Sequence, residues 1–245
     1  MAAEMPSLAG PPALRIVAGV VETKNTTTRL VLPTSVQAAW PPYHRVAETV
    51  ATRTRQFPPH AHEGEEVLTY VIEGSASYQL ESGAIQPMRP GSARLLSATS
   101  KAAHRINPSQ GGVIRWFSLV AGLPDGSSGA VRLQASEPPA SPRYDESAHV
   151  RPLVGPGATM TSAMGLESAE ISFVELSTTY RRLGHGRRGL VYSLSGRGSV
   201  DGNPLEVGEA ALVEGAAGIA IQGNEGFRVI VATAPSQGSP DAPAP

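Results

Sequence analysis

The chain has 245 residues, with 20 lysines and arginines against 21 aspartates and glutamates, and 40% of its residues are hydrophobic. A chain of this length and composition forms one large or two small domains with apolar cores, so extensive disorder is excluded. The near-neutral charge gives no general attraction to nucleic acid or anionic membranes, and the absence of cysteine excludes disulfides, thiolate catalysis and iron–sulfur clusters.

Both ends of the chain are rich in Ala, Pro and Gly. Residues 1–12 and 235–245 have too little apolar surface to offset the entropy of ordering, so we predict loose tails there. No window of 18 uninterrupted apolar residues occurs, and the first residues lack the basic start and apolar core of a secretory signal. We therefore expect a cytoplasmic protein, with neither a membrane nor a nucleic acid as its partner.

Between the tails, short runs rich in Val, Ile, Leu and Tyr are separated by Gly, Pro, Asn and Asp. Such runs predict β-strands rather than helices. In chain order they are RIVAGVV, EVLTYVIEG, SARLLSA, VIRWFSLVAG, EISFVEL, LVYSLSG, EAALVEG and FRVIVAT. The predicted class is all-β, with a sandwich or barrel architecture.

The two halves of the chain share a repeated pattern. LTYVIEGSAS, with its glycine at Gly74, aligns with LVYSLSGRGS, with its glycine at Gly196, at an offset of 122 residues. A second glycine turn and an Ala/Leu-rich strand follow each copy, so we infer that one β-domain is present twice. The stretch 126–156, rich in Gly, Ser and Pro, is predicted to link a domain at 13–125 to one at 157–234.

Three of the six histidines have the spacing of a metal site. His60 and His62 are two residues apart in an extended segment, so their side chains point to the same face. His104 follows the Pro90-Gly91 turn by 13 residues, which is enough chain to return along the next strand to the same pocket. Histidine sets of this kind bind zinc, iron, copper or nickel. The alternative is a pair of surface histidines and an unrelated third.

These motifs resemble those of the pirin family. FPPHAHEGEEVLTYVIEG, HRINP and GGVIRWFSLVAGLP are similar to the N-terminal cupin of pirins, and VELSTTYRRLGHGRRGLVYSLSGRGSVDGNPLEVGEAALVEG is similar to their C-terminal cupin. The resemblance implies a bicupin, two cupin-type β-sandwich barrels packed face to face with one metal in the N-terminal barrel. By position, the family's histidine ligands match His60, His62 and His104.

The fourth ligand departs from the family's pattern. The resemblance implies a glutamate two residues after the third histidine, and Ile106 stands there. In one outcome, three neutral imidazoles hold an ion that keeps its full charge and has open positions. In a second, Glu63, Glu65 or Glu66 replaces the missing ligand. In a third, the site binds metal weakly or not at all.

The implied cofactor is one divalent transition metal, with Fe²⁺ as the first choice and Zn, Ni, Cu or Mn as alternatives. Some pirins are similar to flavonol-cleaving dioxygenases, so the implied function is O₂-dependent oxidation of a small aromatic or enol substrate, with Glu66 as the catalytic proton acceptor. A non-redox biosynthetic enzyme, such as an isomerase or cyclase with or without metal, is one alternative. A non-catalytic regulator that binds a partner protein is the other.

The second copy of the domain lacks these ligands. The repeat offset places Arg182 and Gly184 where the first copy has its histidine pair, and a count from the second glycine turn places Ile221 opposite His104. We therefore expect the C-terminal barrel to contain no metal ligands.

Overall fold

A computed structural model describes most of the chain. The described residues are 14–16, 19–23, 26–33, 40–52, 57–81, 83–109, 112–139, 147–184, 186–215 and 218–236. Within these ranges every regular element is a strand, which confirms the all-β class. None of the described segments forms a helix with the length and apolar character that crossing a membrane requires. The predicted N-terminal tail, and the C-terminal tail beyond Ser236, lie outside the described residues.

The strands are numbered in chain order. The first twelve are β1 (Leu14–Ile16), β2 (Gly19–Thr23), β3 (Thr26–Leu32), β4 (Tyr43–Thr52), β5 (His60–His62), β6 (Glu65–Glu73), β7 (Ala76–Leu80), β8 (Gln86–Met88), β9 (Ala93–Ala98), β10 (Ala102–Pro108), β11 (Val113–Gly122) and β12 (Arg132–Ser136). The others are β13 (Ala148–Val154), β14 (Glu167–Phe173), β15 (Ser177–Arg182), β16 (Arg187–Ser195), β17 (Gly198–Val200), β18 (Asn203–Leu205), β19 (Ala210–Glu214), β20 (Gly218–Gly223) and β21 (Arg228–Pro235). All eight runs predicted as strands contain strand residues.

The strands form two barrels, each with one large and one small sheet. The first barrel has a seven-stranded sheet ordered β12-β9-β6-β11-β4-β3-β2 and a four-stranded sheet ordered β5-β10-β7-β8. The second has a six-stranded sheet ordered β1-β19-β16-β21-β14-β13 and a four-stranded sheet ordered β15-β20-β17-β18. The matching strand orders confirm the duplicated, cupin-type architecture.

Strand β6 contributes side chains to two different cores. Side chains of a strand alternate between its faces. Val67 and Thr69 line the interior of the first barrel, whereas Leu68 and Tyr70 belong to the core shared with the second barrel. Because both faces are buried, EVLTYVIEG is mostly apolar and does not alternate with polar residues.

The two large sheets pack face to face through this shared core, which includes Tyr70, Phe117 and Tyr192. A buried polar contact crosses it, because the Tyr192 hydroxyl of the second barrel donates to the Glu48 carboxylate of the first at 2.9 Å. Arg115 donates to the same carboxylate at 2.7 Å. The ion pair and the hydroxyl together satisfy a carboxylate that is only 1% exposed.

The stretch 126–156 differs from the linker that we predicted. Within it, β12 pairs with β9 in the first barrel and β13 pairs with β14 in the second. Strand β1, predicted to lie in the N-terminal domain, pairs with β19 of the second barrel. β12 and β13 are edge strands and remain partly exposed, so their sequences lack the apolar runs that reveal central strands.

Candidate metal centre

The three predicted histidines lie on two neighbouring strands, and their rings converge. β5 and β10 are antiparallel, and their register places His60 directly opposite His104. The ring centroids of His60 and His104 are 4.3 Å apart, and the ring of His62 lies 5.1 Å from the first and 5.2 Å from the second. One ring nitrogen from each residue lies within 4.8 Å of the other two. The predicted convergence of the three rings is therefore present.

The rings line a cavity of about 360 Å³ in the first barrel. One wall is the small sheet with the histidines, and the other is the inner face of the large sheet. The lining residues on the large sheet are Thr26, Thr28, Arg45, Thr49, Val67, Thr69, Trp116, Ser118 and Val120. Phe57, Pro58 and Ile106 complete the described lining. The cavity is thus part apolar and part hydroxyl-lined, and it is accessible to a small molecule.

Ring nitrogens of His62 and His104 are available to bind a metal. His104 is 2% exposed, and neither of its ring nitrogens has a hydrogen-bond partner in the part of the chain that the structure describes. The Nε2 atom of His62 is also buried without a partner. Leaving such atoms unpaired is unfavourable, and the lone pair of a neutral imidazole is a common ligand of divalent metals. Three ring nitrogens within 4.8 Å of one another fit a mononuclear metal, which imidazole nitrogens bind at about 2.0–2.1 Å.

The surroundings keep the imidazoles neutral. Burial, followed by the neighbouring His60 and His62, lowers the pKa of His104 from 6.5 to about 3. Burial also lowers the pKa of His60, with further contributions from His62 and from the cation of Arg45. Protons and metals compete for the same lone pairs, so these low pKa values favour metal binding at neutral pH.

Glu65 orients one of the rings. Its Oε2 atom accepts a hydrogen bond from Nδ1 of His62 at 2.7 Å, and its Oε1 atom lies 3.3 Å from Nδ1 of His44. A carboxylate at Nδ1 fixes the His62 tautomer and leaves Nε2 free for a metal. Among the described residues no carboxylate joins the converging ligand atoms. Glu65 therefore lies behind a ligand and not in the place of the missing one.

Glu66 lies away from the cavity. It is fully buried on the opposite face of β6 from Val67, because adjacent residues of a strand point in opposite directions. Its carboxylate accepts hydrogen bonds from Ser97 at 2.7 Å and from the amide of Ala163 at 2.8 Å, and another from Ser162. The structure does not bring Glu66 to the histidines, so its position does not support the predicted role as catalytic proton acceptor.

Ile106 shares the cavity face with His104. It is 5% exposed and belongs to an apolar cluster with Tyr78 and Trp116. The ring of Tyr78 also stacks on His104, with centroids 4.9 Å apart and an interplanar angle of 22°. An aliphatic side chain therefore lies where the resemblance implies a carboxylate ligand.

The matching place in the second barrel is apolar. Ile221 corresponds to Ile106, because their strand partners, Val200 and Tyr78, are separated by the 122-residue offset of the repeat. The counterpart of the third histidine is thus Ile219, and our assignment of Ile221 was wrong by two residues. The second copy has two fewer residues between its glycine turn and this strand, which a count from the turn cannot reveal.

A protein-family model matches residues of the first barrel. The family model named Pirin matches residues 24–118. Over these residues, the N-terminal barrel is similar to a pirin domain. The resemblance to pirins that the sequence motifs indicate is thereby confirmed. No curated protein matches the chain.

Solved structures extend the match in fold across both barrels of this pirin-like chain. GK1651 from Geobacillus kaustophilus aligns with a TM-score of 0.82 at 20% identity, covering 93% of this chain and 96% of that one. The bacterial pirin YhhW from Escherichia coli, in complex with nickel(II), gives 0.80 at 15% identity, covering 92% and 100%. A quercetin 2,3-dioxygenase from Acinetobacter baumannii gives 0.77 at 18% identity, covering 91% and 79%. At these identities the structures show a shared bicupin fold.

Proposed function

We propose that the chain holds one divalent transition metal between His60, His62 and His104 and acts as a mononuclear dioxygenase on a small aromatic or enol substrate. The observation that carries the proposal is the convergence of three imidazoles, two of them with buried, unpartnered nitrogens, in one cavity. The nickel(II) complex of the Escherichia coli pirin and the quercetin 2,3-dioxygenase from Acinetobacter, which share the fold, support it.

Three neutral imidazoles leave the full charge of a divalent ion uncompensated and leave coordination positions open for a substrate. Such a metal, when bound, supplies Lewis acidity to a substrate oxygen and, if redox-active, electron transfer with O₂. Fe²⁺ is the first choice in this proposal, with Ni, Zn, Cu and Mn as alternatives. Among the described residues no carboxylate joins the converging atoms, so this centre is more electrophilic than one with three histidines and a glutamate.

The chain's own residues have two tasks in this chemistry. Glu65 holds the His62 ring in the tautomer that presents Nε2 to the cavity. Phe57 and Trp116, packed edge to face with centroids 5.6 Å apart, help to exclude water from the reacting carbon atoms. The described lining has no carboxylate to accept a proton, so a substrate that binds as an oxyanion loses its proton to water.

Metal loading and oxygen uptake test the proposal together. The purified protein, incubated with Fe²⁺ or Ni²⁺ and desalted, should retain about one ion per chain and consume O₂ with flavonols or smaller enols. His60→Ala, a change at an exposed ring, and His104→Gln should both lose metal and oxygen uptake. His149→Ala is the control, because His149 lies in β13 of the second barrel. Unaltered turnover in His60→Ala would rule out the metal role.

Ile106 favours a second candidate function, a non-redox isomerase or cyclase that uses the same cavity. Its aliphatic side chain makes the surroundings of the histidines drier than a carboxylate would. An enzyme of this kind keeps its turnover without oxygen and after chelation. The dioxygenase loses turnover in both conditions, so anaerobic assays with and without chelator separate the two.

A further inference from the structure

We infer, on the basis of the proposed function, that the cavity selects a substrate carrying a carboxylate in addition to its reacting hydroxyl or enol. Arg45 binds the carboxylate, while the reacting oxygen faces the three histidines. The substrate class is therefore a small aromatic or enol acid, which the cavity binds in preference to a neutral polyphenol.

The charge of the cavity favours an anion. Arg45 is the one charged side chain, apart from the histidines, among the described lining residues, and none of them is acidic. The Arg45 side chain is exposed, and it has no hydrogen bond or ion pair with any described residue. A divalent metal adds two positive charges, and Glu65 behind His62 offsets one of them. The remaining positive potential in a partly enclosed cavity attracts and orients an anionic ligand.

Strand β4 places Arg45 on the inner wall. Arg45, Ala47 and Thr49 share one face of the strand, because its side chains alternate. Arg45 also lies directly opposite Val120, which lines the same cavity. A guanidinium in this position offers paired donors that match the geometry of a carboxylate.

Arg45 lies close enough to the histidines to act on the same small ligand. Both Arg45 and His60 line the cavity. One molecule with acidic and hydroxyl groups at opposite ends of a ring can therefore contact both.

The hydroxyl groups of the large-sheet wall favour a ligand with oxygen atoms. Thr69 is 1% exposed, and its Oγ1 atom has no hydrogen-bond partner among the described residues. It lies opposite Ser118 in the register of β6 and β11, and both line the cavity. A buried hydroxyl without a partner is unfavourable until a ligand supplies one. This wall therefore suits oxygen substituents better than hydrocarbon.

The size of the cavity limits the substrate. Its volume of about 360 Å³ is near the lower end of the range typical of small-molecule sites. Trp116 and Phe57 add aromatic surface to the lining. A single substituted ring fits these dimensions.

The test compares acids with their neutral amides. 3- and 4-hydroxybenzoate, and the corresponding hydroxybenzamides, are titrated by calorimetry into Zn²⁺-loaded and metal-free protein. In these probes the carboxylate and the hydroxyl are too far apart to chelate one ion. We expect the wild type to bind the acids at least about tenfold more tightly than the amides, as for a hydrogen bond to a charged group. Arg45→Gln should abolish the preference and Arg45→Lys should retain part of it. Arg132→Gln, at an exposed residue of β12, should retain it fully.

Equal affinity of acids and amides for the wild type would overturn the inference, as would a preference that survives in Arg45→Gln. The metal content of each preparation separates this inference from the proposed function. An Arg45-dependent preference in a protein that holds no metal contradicts the proposed function and supports carboxylate selection. Bound metal without a preference for the acids supports the proposed function and contradicts carboxylate selection.

Discussion

The two barrels share one strand topology and differ in what their interiors contain. Matched positions carry hydroxyl or imidazole groups in the first barrel and aliphatic groups in the second. The matched pairs, read from the strand register, are Thr28 and Val150, Thr49 and Ile171, Thr69 and Val191, Ser118 and Val231, and His104 and Ile219. The fold is therefore stable with apolar groups at these positions, so the polar groups of the first barrel are not required by the architecture.

Aromatic rings fill the second barrel. Phe173 and Phe227 pack with ring centroids 5.6 Å apart. Both rings contact Gly223, where an added Cβ would lie 2.5 Å from Phe227 and 2.7 Å from Phe173. The position of Phe173 is taken by Ala51 in the first barrel, according to the same register. A smaller side chain at such a position leaves room for a cavity, which is the second condition for a ligand site.

The largest effect is expected when the first barrel receives the residue of the second at the third histidine. His104→Ile should lower metal affinity more than about 100-fold, because one of three ligands is lost. The metal-free protein should stay within about 1 kcal/mol of the wild type, since a buried imidazole without partners is replaced by an apolar group. Metal titration and thermal denaturation measure both effects. The reciprocal Ile219→His should destabilise the protein without creating a metal site, and retention of metal by His104→Ile would contradict the comparison.

Restoring a carboxylate at the fourth position should strengthen the centre. Ile106→Glu is expected to raise metal affinity about tenfold or more, because a fourth ligand also offsets the charge of the ion. Without metal the same variant should be destabilised, since a buried carboxylate lacks a partner. Ile221→Glu, the matched change in the second barrel, should give only the destabilisation. Equal metal affinity in Ile106→Glu and wild type would show that this side chain does not reach the ion.

Removing the carboxylate behind His62 should have an intermediate effect. Glu65→Gln is expected to lower metal affinity about tenfold, which is within the range for groups that orient a ligating histidine. Competition with a chromogenic chelator measures the change. Glu63→Gln, at an exposed neighbour, serves as the control and should leave the affinity unaltered. The same loss in both variants would assign the effect to surface charge and not to the hydrogen bond with His62.

The smallest effect concerns the unpartnered hydroxyl. Thr69→Val should stabilise the ligand-free protein by up to about 1 kcal/mol, because a buried hydroxyl without a partner is removed. It should also weaken binding of hydroxybenzoates a few-fold. The reverse change in the second barrel, Val191→Thr, should destabilise by about 1–3 kcal/mol. Denaturant unfolding measures the stability changes of both variants. A loss of stability in Thr69→Val would show that this hydroxyl stabilises the fold.

Much of the fold could be predicted from the sequence, for physical reasons that apply to its central strands. LVYSLSG and EVLTYVIEG are buried on both faces, so their apolar runs stand out, and the repeat of their glycines shows the duplication. Strands such as β12 and β13 are partly exposed edges, and composition alone made them look like a linker. Pairing partners at an edge come from distant parts of the chain, which a local pattern does not contain.

The spacing of residues within single strands predicted part of the candidate site. His60 and His62 share a face because they are two residues apart, and the same alternation explains why Ile106 joins His104. The alternation also places Glu66 on the face of β6 that points away from the cavity. This conclusion required knowing which face of β6 lines the cavity. The contact between Glu65 and His62 depends on the turn between β5 and β6, and the role of Arg45 depends on the pairing of β4 with β11.

The central claim is that one barrel holds a metal between its three imidazoles while its duplicate does not. Elemental analysis of Ni²⁺-loaded protein, combined with anomalous diffraction at the nickel edge from its crystals, tests this claim directly. We expect one ion per chain and a single anomalous peak bounded by ring nitrogens of His60, His62 and His104. A protein without stoichiometric metal, or a peak located elsewhere in the chain, would contradict it.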